Sequence, residues 1–182
     1  MNSLREKYTQ NQSAISTTLG LKNVMELPKL KKISVNIGMG ELKGNDALQK
    51  QVAEILSIIT GQKPVQTRAK RAIAGFKLRE NDVIGYRVTL RGERMYDFLD
   101  RLVTYVFPRL RDFQGISSTG FDRHGNFTFG LREQTVFPEV PYQGAEKTWG
   151  MQITLVTSAT DDAGARALLE AFGFPFTKSA AK

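Results

Sequence analysis

The residues of this chain best placed to do chemistry are cations, and the chemistry is phosphate binding. Between Gln62 and Arg94 stand nine basic residues (Lys63, Arg68, Lys70, Arg71, Lys77, Arg79, Arg87, Arg91 and Arg94) and three acids (Glu80, Asp82 and Glu93). That is +6 out of a formal charge of +8 for all 182 residues. A second basic block, residues 22–43, carries +3, and a nearly neutral stretch separates the two. Glycine and β-strand residues run through the first block, so its charge is concentrated and unpaired. Such a segment suits a polyanion, most simply RNA, and suits an anionic membrane surface less well.

Other chemistries lack their residues. There is no cysteine, which excludes disulfides and thiolate metal sites. The single histidine, His124, sits in Arg123-His124-Gly125-Asn126, which reads as a turn. Asp97 and Asp100 lie one turn apart between Arg94 and Arg101, the pattern of a solvated helix face with ion pairs. Asp161-Asp162 reads as a helix N-cap. Gly38-Met39-Gly40 raises the question of a dinucleotide site, but Lys43 stands where the third glycine belongs and Gly44 comes one place late. A turn in which two backbones, or a backbone and a phosphate, come close is the better reading there. No catalytic set, metal site, cofactor or small-molecule substrate is therefore expected. No run approaches the roughly 18 apolar residues of a membrane span, and no secretory signal opens the chain. No membrane partner and a cytoplasmic location are expected.

The elements that must position the cations follow from periodicity. The composition, 41% hydrophobic and 24% charged, suits one soluble domain, and residues 1–182 show no repeat or linker that would divide them. Only residues 1–3 and the tail Lys178–Lys182 look loose. Leu48, Val52, Ile55, Leu56 and Ile59 recur at helical spacing, with Asn45 or Asp46 placed to cap and Gly61 to stop the helix. A second helix is expected from about Glu93 to Phe107, a third after Asp161-Asp162, and a weaker one over residues 4–19. Strands are expected where apolar residues alternate, at Ile33, Val35 and Ile37, at Ile84, Tyr86, Val88 and Leu90, and at Met151, Ile153 and Leu155. Residues 63–70 and 127–129 are further candidates, with Phe127 and Phe129 read as core.

This order predicts an α+β fold, a mostly antiparallel sheet with helices on one face. The uncovered face would carry Asn36, Arg87, Thr89 and Arg91. The loop Ala72–Arg79 holds few residues that commit to helix or strand, and a long basic loop between strands points to function. Its Phe76 could stack on a base or tuck under the loop. Since Asn126–Gly130 lacks the basic-glycine start of an RNA-recognition strand, an RNA partner would be read through backbone and shape.

The phrases Val35–Glu41, Gly61–Pro64, Ala74–Arg79, Val88–Met95, Pro108–Phe113 and Phe174–Phe176 resemble, in order, the family of bacterial large-subunit ribosomal protein five, the 5S rRNA-binding ribosomal proteins. The similarity runs from about residue 4 to residue 177. It implies an α+β, non-enzymatic structural protein in the central protuberance of the large (50S) ribosomal subunit, where it helps attach 5S rRNA. By this resemblance, 5S recognition falls on Asn36, Gln62 and Thr89, with Lys63, Arg87 and Arg91 in electrostatic support. The basic loop, about residues 70–81 with Lys70, Arg71, Phe76, Lys77 and Arg79, would reach 23S rRNA and the P-site tRNA. Another surface would meet neighbouring ribosomal proteins, among them one of the small-subunit head, in an intersubunit bridge. Residues 141–149 depart from the family, and Trp149 stands where a smaller or charged residue is expected. The tail 178–182 runs slightly past the usual end. The basic block thus divides into a 5S-binding face and a separate arm. A nucleotide-using enzyme built on Gly38-Met39-Gly40 and a DNA-binding architectural protein are the alternatives.

Overall fold

The computed structural model describes residues 4–21, 23–40, 46–111, 113–140 and 148–177. Five strands form one sheet: β1 (Leu30–Gly38), β2 (Val65–Arg68), β3 (Val83–Leu90), β4 (Asn126–Leu131) and β5 (Met151–Thr157). Their order is β2-β3-β1-β5-β4 and the sheet is antiparallel, so the expected α+β class holds. The alternation that predicted the strands is the alternation of burial. Ile33, Val35 and Ile37 are buried between half-buried Ser34 and Asn36, and Met151, Ile153 and Leu155 are buried around exposed Gln152. Gly85 breaks the pattern in β3, being buried on the side where a polar residue was expected. A Cβ there would meet the Ile37 carbonyl at 2.5 Å, so only glycine lets β1 and β3 approach at that point.

The chain divides into two compact units. The first comprises the described parts of Met1–Ile33, Leu90–Phe129 and Thr154–Lys182. In it, α1 (Leu4–Leu19) packs against α3 (Glu93–Arg101) and α4 (Asp162–Ala171). The Tyr8 hydroxyl donates to the Pro28 carbonyl at 3.1 Å, and burial, with Tyr96 nearby, pushes its phenol above the usual value. Asp161 caps α4 as expected, its carboxylate accepting the Gly164 N–H at 3.2 Å.

The helix expected over residues 93–107 is α-helical only to Arg101. Leu102–Val106 is a π-helical turn and Phe107–Arg109 a 3-10 turn. Pro108 has no N–H to continue an α-helix and crowds the carbonyl four residues back; the widened turn absorbs that defect while keeping Leu102, Val106 and Phe107 buried. Around Phe107 gather Phe113, Phe121, Phe127, Phe129, Phe174 and Phe176, with neighbouring ring centroids 4.6–5.9 Å apart. Phe127 is fully buried, as a core residue should be, while Phe129, also read as core, is only half-buried at the edge of the cluster.

The second unit comprises Ser34–Thr89 and the described parts of Gly130–Ile153. Its helix α2 (Asp46–Thr60) buries Val52, Ile55, Leu56 and Ile59 and stops at Gly61, whose φ of +65° favours glycine. Asn45 and the side chain of Asp46, the two expected caps, lie outside what is described, as do residues 141–147 and the tail. Trp149 is buried, and its backbone N–H donates to Gln134 Oε1 at 2.5 Å, a place a charged residue could not take without loss.

Candidate nucleic-acid interface

In the β2–β3 pair Val65 faces Arg87 and Gln66 faces Tyr86. Cross-strand partners share a face, so Tyr86 and Val88 point to the buried side, and Arg87 and Thr89 to the other. Arg87 is exposed and donates from Nε to Ser34 Oγ at 3.1 Å. That bond fixes the guanidinium over β1, while its terminal nitrogens bond nothing else among the described residues. Thr89 follows on the same side of β3 and Asn36 on the same side of β1; both are half-buried. Ser34, Asn36, Arg87 and Thr89 thus form a polar, cationic row on a rigid floor, suited to hydrogen-bonding and neutralising a phosphate backbone.

The remaining expected 5S residues sit elsewhere. Gln62 is half-buried just after α2, its carbonyl accepting from Thr60 Oγ1 at 3.1 Å. Lys63 is exposed and lines a cleft of ≈ 650 Å³ with Lys50, Glu54, Pro64, Gln66 and Tyr86. Because Tyr86 faces away from Arg87, this cleft lies on the other side of β3. Arg91, also exposed, lies just past the end of β3 in the first unit.

The loop residues Lys70, Arg71, Phe76, Lys77 and Arg79 come together on a clasp. The Ile73 and Leu78 backbones exchange hydrogen bonds of 2.9 and 3.1 Å around a 3-10 turn, Ala74–Phe76, with Lys77 at φ 49° closing it. At its base Ala69 bonds Asp82 and Asn81, and the Asp82 carboxylate accepts the Arg79 N–H at 2.8 Å. All five predicted residues are exposed. Phe76 is 71% exposed, which decides against its tucking under the loop. The pairing across the clasp was not legible, because a pattern of two residues per arm is too short to register.

Two further expectations meet the structure here. His124 is exposed in a turn organised by Asp122, whose carboxylate accepts the N–H groups of His124 and Asn126 and the Asn126 side-chain amide. Those bonds, the Asn126 side chain first, hold the Asp122 carboxyl below its ordinary value. Of the two close approaches expected at Gly38 and Gly40, that of a second backbone is not seen among the described residues: an added Cβ at either would meet nothing within 4 Å. Their backbone also needs no glycine, since neither φ is positive. Among the described residues no His, Asp and Glu cluster could hold a metal ion, and no helix is long and apolar enough to cross a membrane.

Sequence reasoning missed Ser34, the residue that orients Arg87, and Val65, which stands 68% exposed beside it. It also missed Arg132, which the alternation of β4 would have put beyond Thr128 and Gly130 on one side.

Comparison with known families covers nearly the whole chain. A sequence model described as Ribosomal protein L5 matches residues 23–79, and the model of the ribosomal L5 family C-terminus matches residues 83–176. A Large ribosomal subunit protein uL5 of Moorella thermoacetica is 50% identical over 97% of this chain and 98% of its own length. That of Fusobacterium nucleatum is 57% identical over 88% of this chain and 87% of its own. That of Acidobacterium capsulatum is 49% identical over 97% and 98%.

Proposed function

The chain belongs to the ribosomal protein L5 family, structural proteins of the large ribosomal subunit and not enzymes, and from that premise we propose that it binds 5S rRNA. In this reading it acts as a single RNA-binding domain that helps attach 5S rRNA to the central protuberance. The clasp over residues 70–81 reaches 23S rRNA and the P-site tRNA, and another surface joins a small-subunit head protein in a bridge. The observation that carries the reading is the row Ser34, Asn36, Arg87 and Thr89. Its strands are held by a buried core, so the donors are preorganised and lose little entropy on binding. Arg91 follows the row in sequence, while Gln62 and Lys63 lie off it just after α2; in this reading the three supply further contacts. The mechanism combines phosphate neutralisation with a few side-chain hydrogen bonds.

The test is binding of transcribed 5S rRNA against a size-matched random RNA and against duplex DNA. Preference for 5S rRNA is expected. Equal binding to all three would overturn the specific assignment and leave a general polyanion binder.

A further inference from the structure

The strand β2 ends the sheet: β3 pairs with one of its edges, and among the described residues no strand pairs with the other. An edge of this kind leaves backbone N–H and C=O groups for another chain to take up. β2 is only four residues long, and its register shifts between Thr67 and Arg68. Those features limit the free edge to a short extended segment and deny it to a long strand.

The two faces of this edge differ in kind, and both lie within the second unit. On the side of Arg87 stands Val65, 68% exposed and without an apolar cross-strand neighbour, since its partner in β3 is Arg87 itself. On the side of Gln66 and Tyr86 opens the cleft of ≈ 650 Å³, one wall of which is α2. Lys50, Ala53, Glu54 and Ser57 form that wall because positions three and four apart share a helix face. Lys63 also lines the cleft, and neither it nor Lys50 makes an ion pair among the described residues. Tyr86 lines the cleft with only 4% of its surface exposed, and its hydroxyl bonds no described residue. A buried phenol in that position calls for a hydrogen-bond partner from outside.

We propose that the free edge of β2 and this cleft dock a short extended segment of another protein, acidic and apolar at alternate positions. The segment adds a strand to β2, with its apolar side chains beside Val65 and its carboxylates over the cleft, toward Lys50, Lys63 and the Tyr86 hydroxyl. Period two decides the pattern, because successive residues of an added strand fall on the two faces of the sheet in turn. Backbone pairing supplies affinity, and the alternation supplies specificity. RNA suits this place less well, since it cannot take up the backbone ladder of a strand and Glu54 repels its phosphates. Of the residues offered to the segment, only Lys63 also belongs to the RNA-binding reading, which the inference otherwise goes beyond.

Fluorescence anisotropy with a labelled peptide of alternating glutamate and valine tests this against two control peptides. One carries lysine in place of glutamate, and the other is N-methylated along its backbone. The parent protein is expected to bind the first peptide saturably and neither control. Lys50→Glu, at an exposed helix position, should weaken the peptide by about fivefold or more and leave 5S rRNA binding little changed. Val65→Ser should weaken it severalfold, and circular dichroism and melting temperature check that both variants are folded. Hydrogen exchange at residues 63–68 of the parent should slow when the peptide is added. Should Val65→Ser prove unfolded, Lys50→Glu and the exchange decide alone. Absence of saturable binding, equal binding of the N-methylated control, or parent-like binding by Lys50→Glu would overturn the site. Exchange at 63–68 slowed by 5S rRNA and not by the peptide would give the cleft to RNA, and dimerisation of the parent that protects 63–68 would give the edge to a second copy; either overturns the proposal.

Discussion

Individual side chains on the row carry unequal weight. Asn36 and Thr89 offer hydrogen bonds from half-buried positions, where a lost partner leaves a group poorly solvated. Asn36→Ala or Thr89→Val should weaken 5S rRNA binding by about 1–3 kcal/mol in a filter-binding titration, with melting temperature little changed. Ser34→Ala should produce a smaller loss than Arg87→Ala, because it frees the guanidinium without removing its charge. Asp122 organises its own turn, and the prediction for it concerns stability. Its folded-state carboxyl lies below its ordinary value of 3.8, so its stabilisation is present above that value and lost as pH falls through the lower folded one. Asp122→Ala should therefore lower the melting temperature at pH 7, and the gap from the parent should close as the solution is acidified through that lowered folded-state value.

At the level of elements, the clasp and the sheet are independent devices. The clasp is held by its own backbone pair and by Asp82, not by the polar row. Lys77→Ala and Arg79→Ala should leave 5S rRNA binding within a factor of about two and weaken association with the assembled ribosome, measured by sedimentation. Asp82→Ala should speed amide hydrogen exchange at Ile73 and Leu78, since the carboxylate that pins Arg79 is gone. Loss of 5S binding on either change would mean that the two surfaces are wrongly assigned. Helix and strand positions were largely legible because one-sided burial forces periods of 3.6 and 2 onto the apolar residues, as in Val52–Ile59 and Ile33–Ile37. The π-helical turn at Leu102–Val106 was not legible, since its buried residues satisfy helical spacing as well as an α-helix would.

For the molecule as a whole, charge and core set separate limits. Cations on the polar row, on the clasp and at Lys63 are exposed, so 5S rRNA affinity should fall by about 10³–10⁵ between 50 and 200 mM salt if six or more phosphates are met. A shallow slope would show fewer phosphate contacts than the charge suggests. The aromatic cluster supports the first unit: Phe127 is fully buried and meets Phe121, Phe129, Phe174 and Phe176. Phe127→Ala should cost about 3–5 kcal/mol in urea denaturation, the loss of a packed aromatic plus the cavity it leaves.

Composition and local pattern alone determined the α+β class, most element positions, the Asp161 cap, the concentration of charge in residues 62–94 and the absence of any catalytic set. These depend on residues near one another in the chain, where period, capping chemistry and residue type act directly. Only the tertiary structure decided which of those residues meet. Arg87 finds Ser34 across 53 positions of sequence, a partnership set by the register of β1 on β3. Lys63 and Arg87, neighbours in the same basic block, fall on opposite sides of one strand's surroundings because Tyr86 and Arg87 alternate. Gly38 read as a place where a second backbone or a phosphate comes close, and no described backbone does, since what a missing side chain leaves room for depends on the strands beside it.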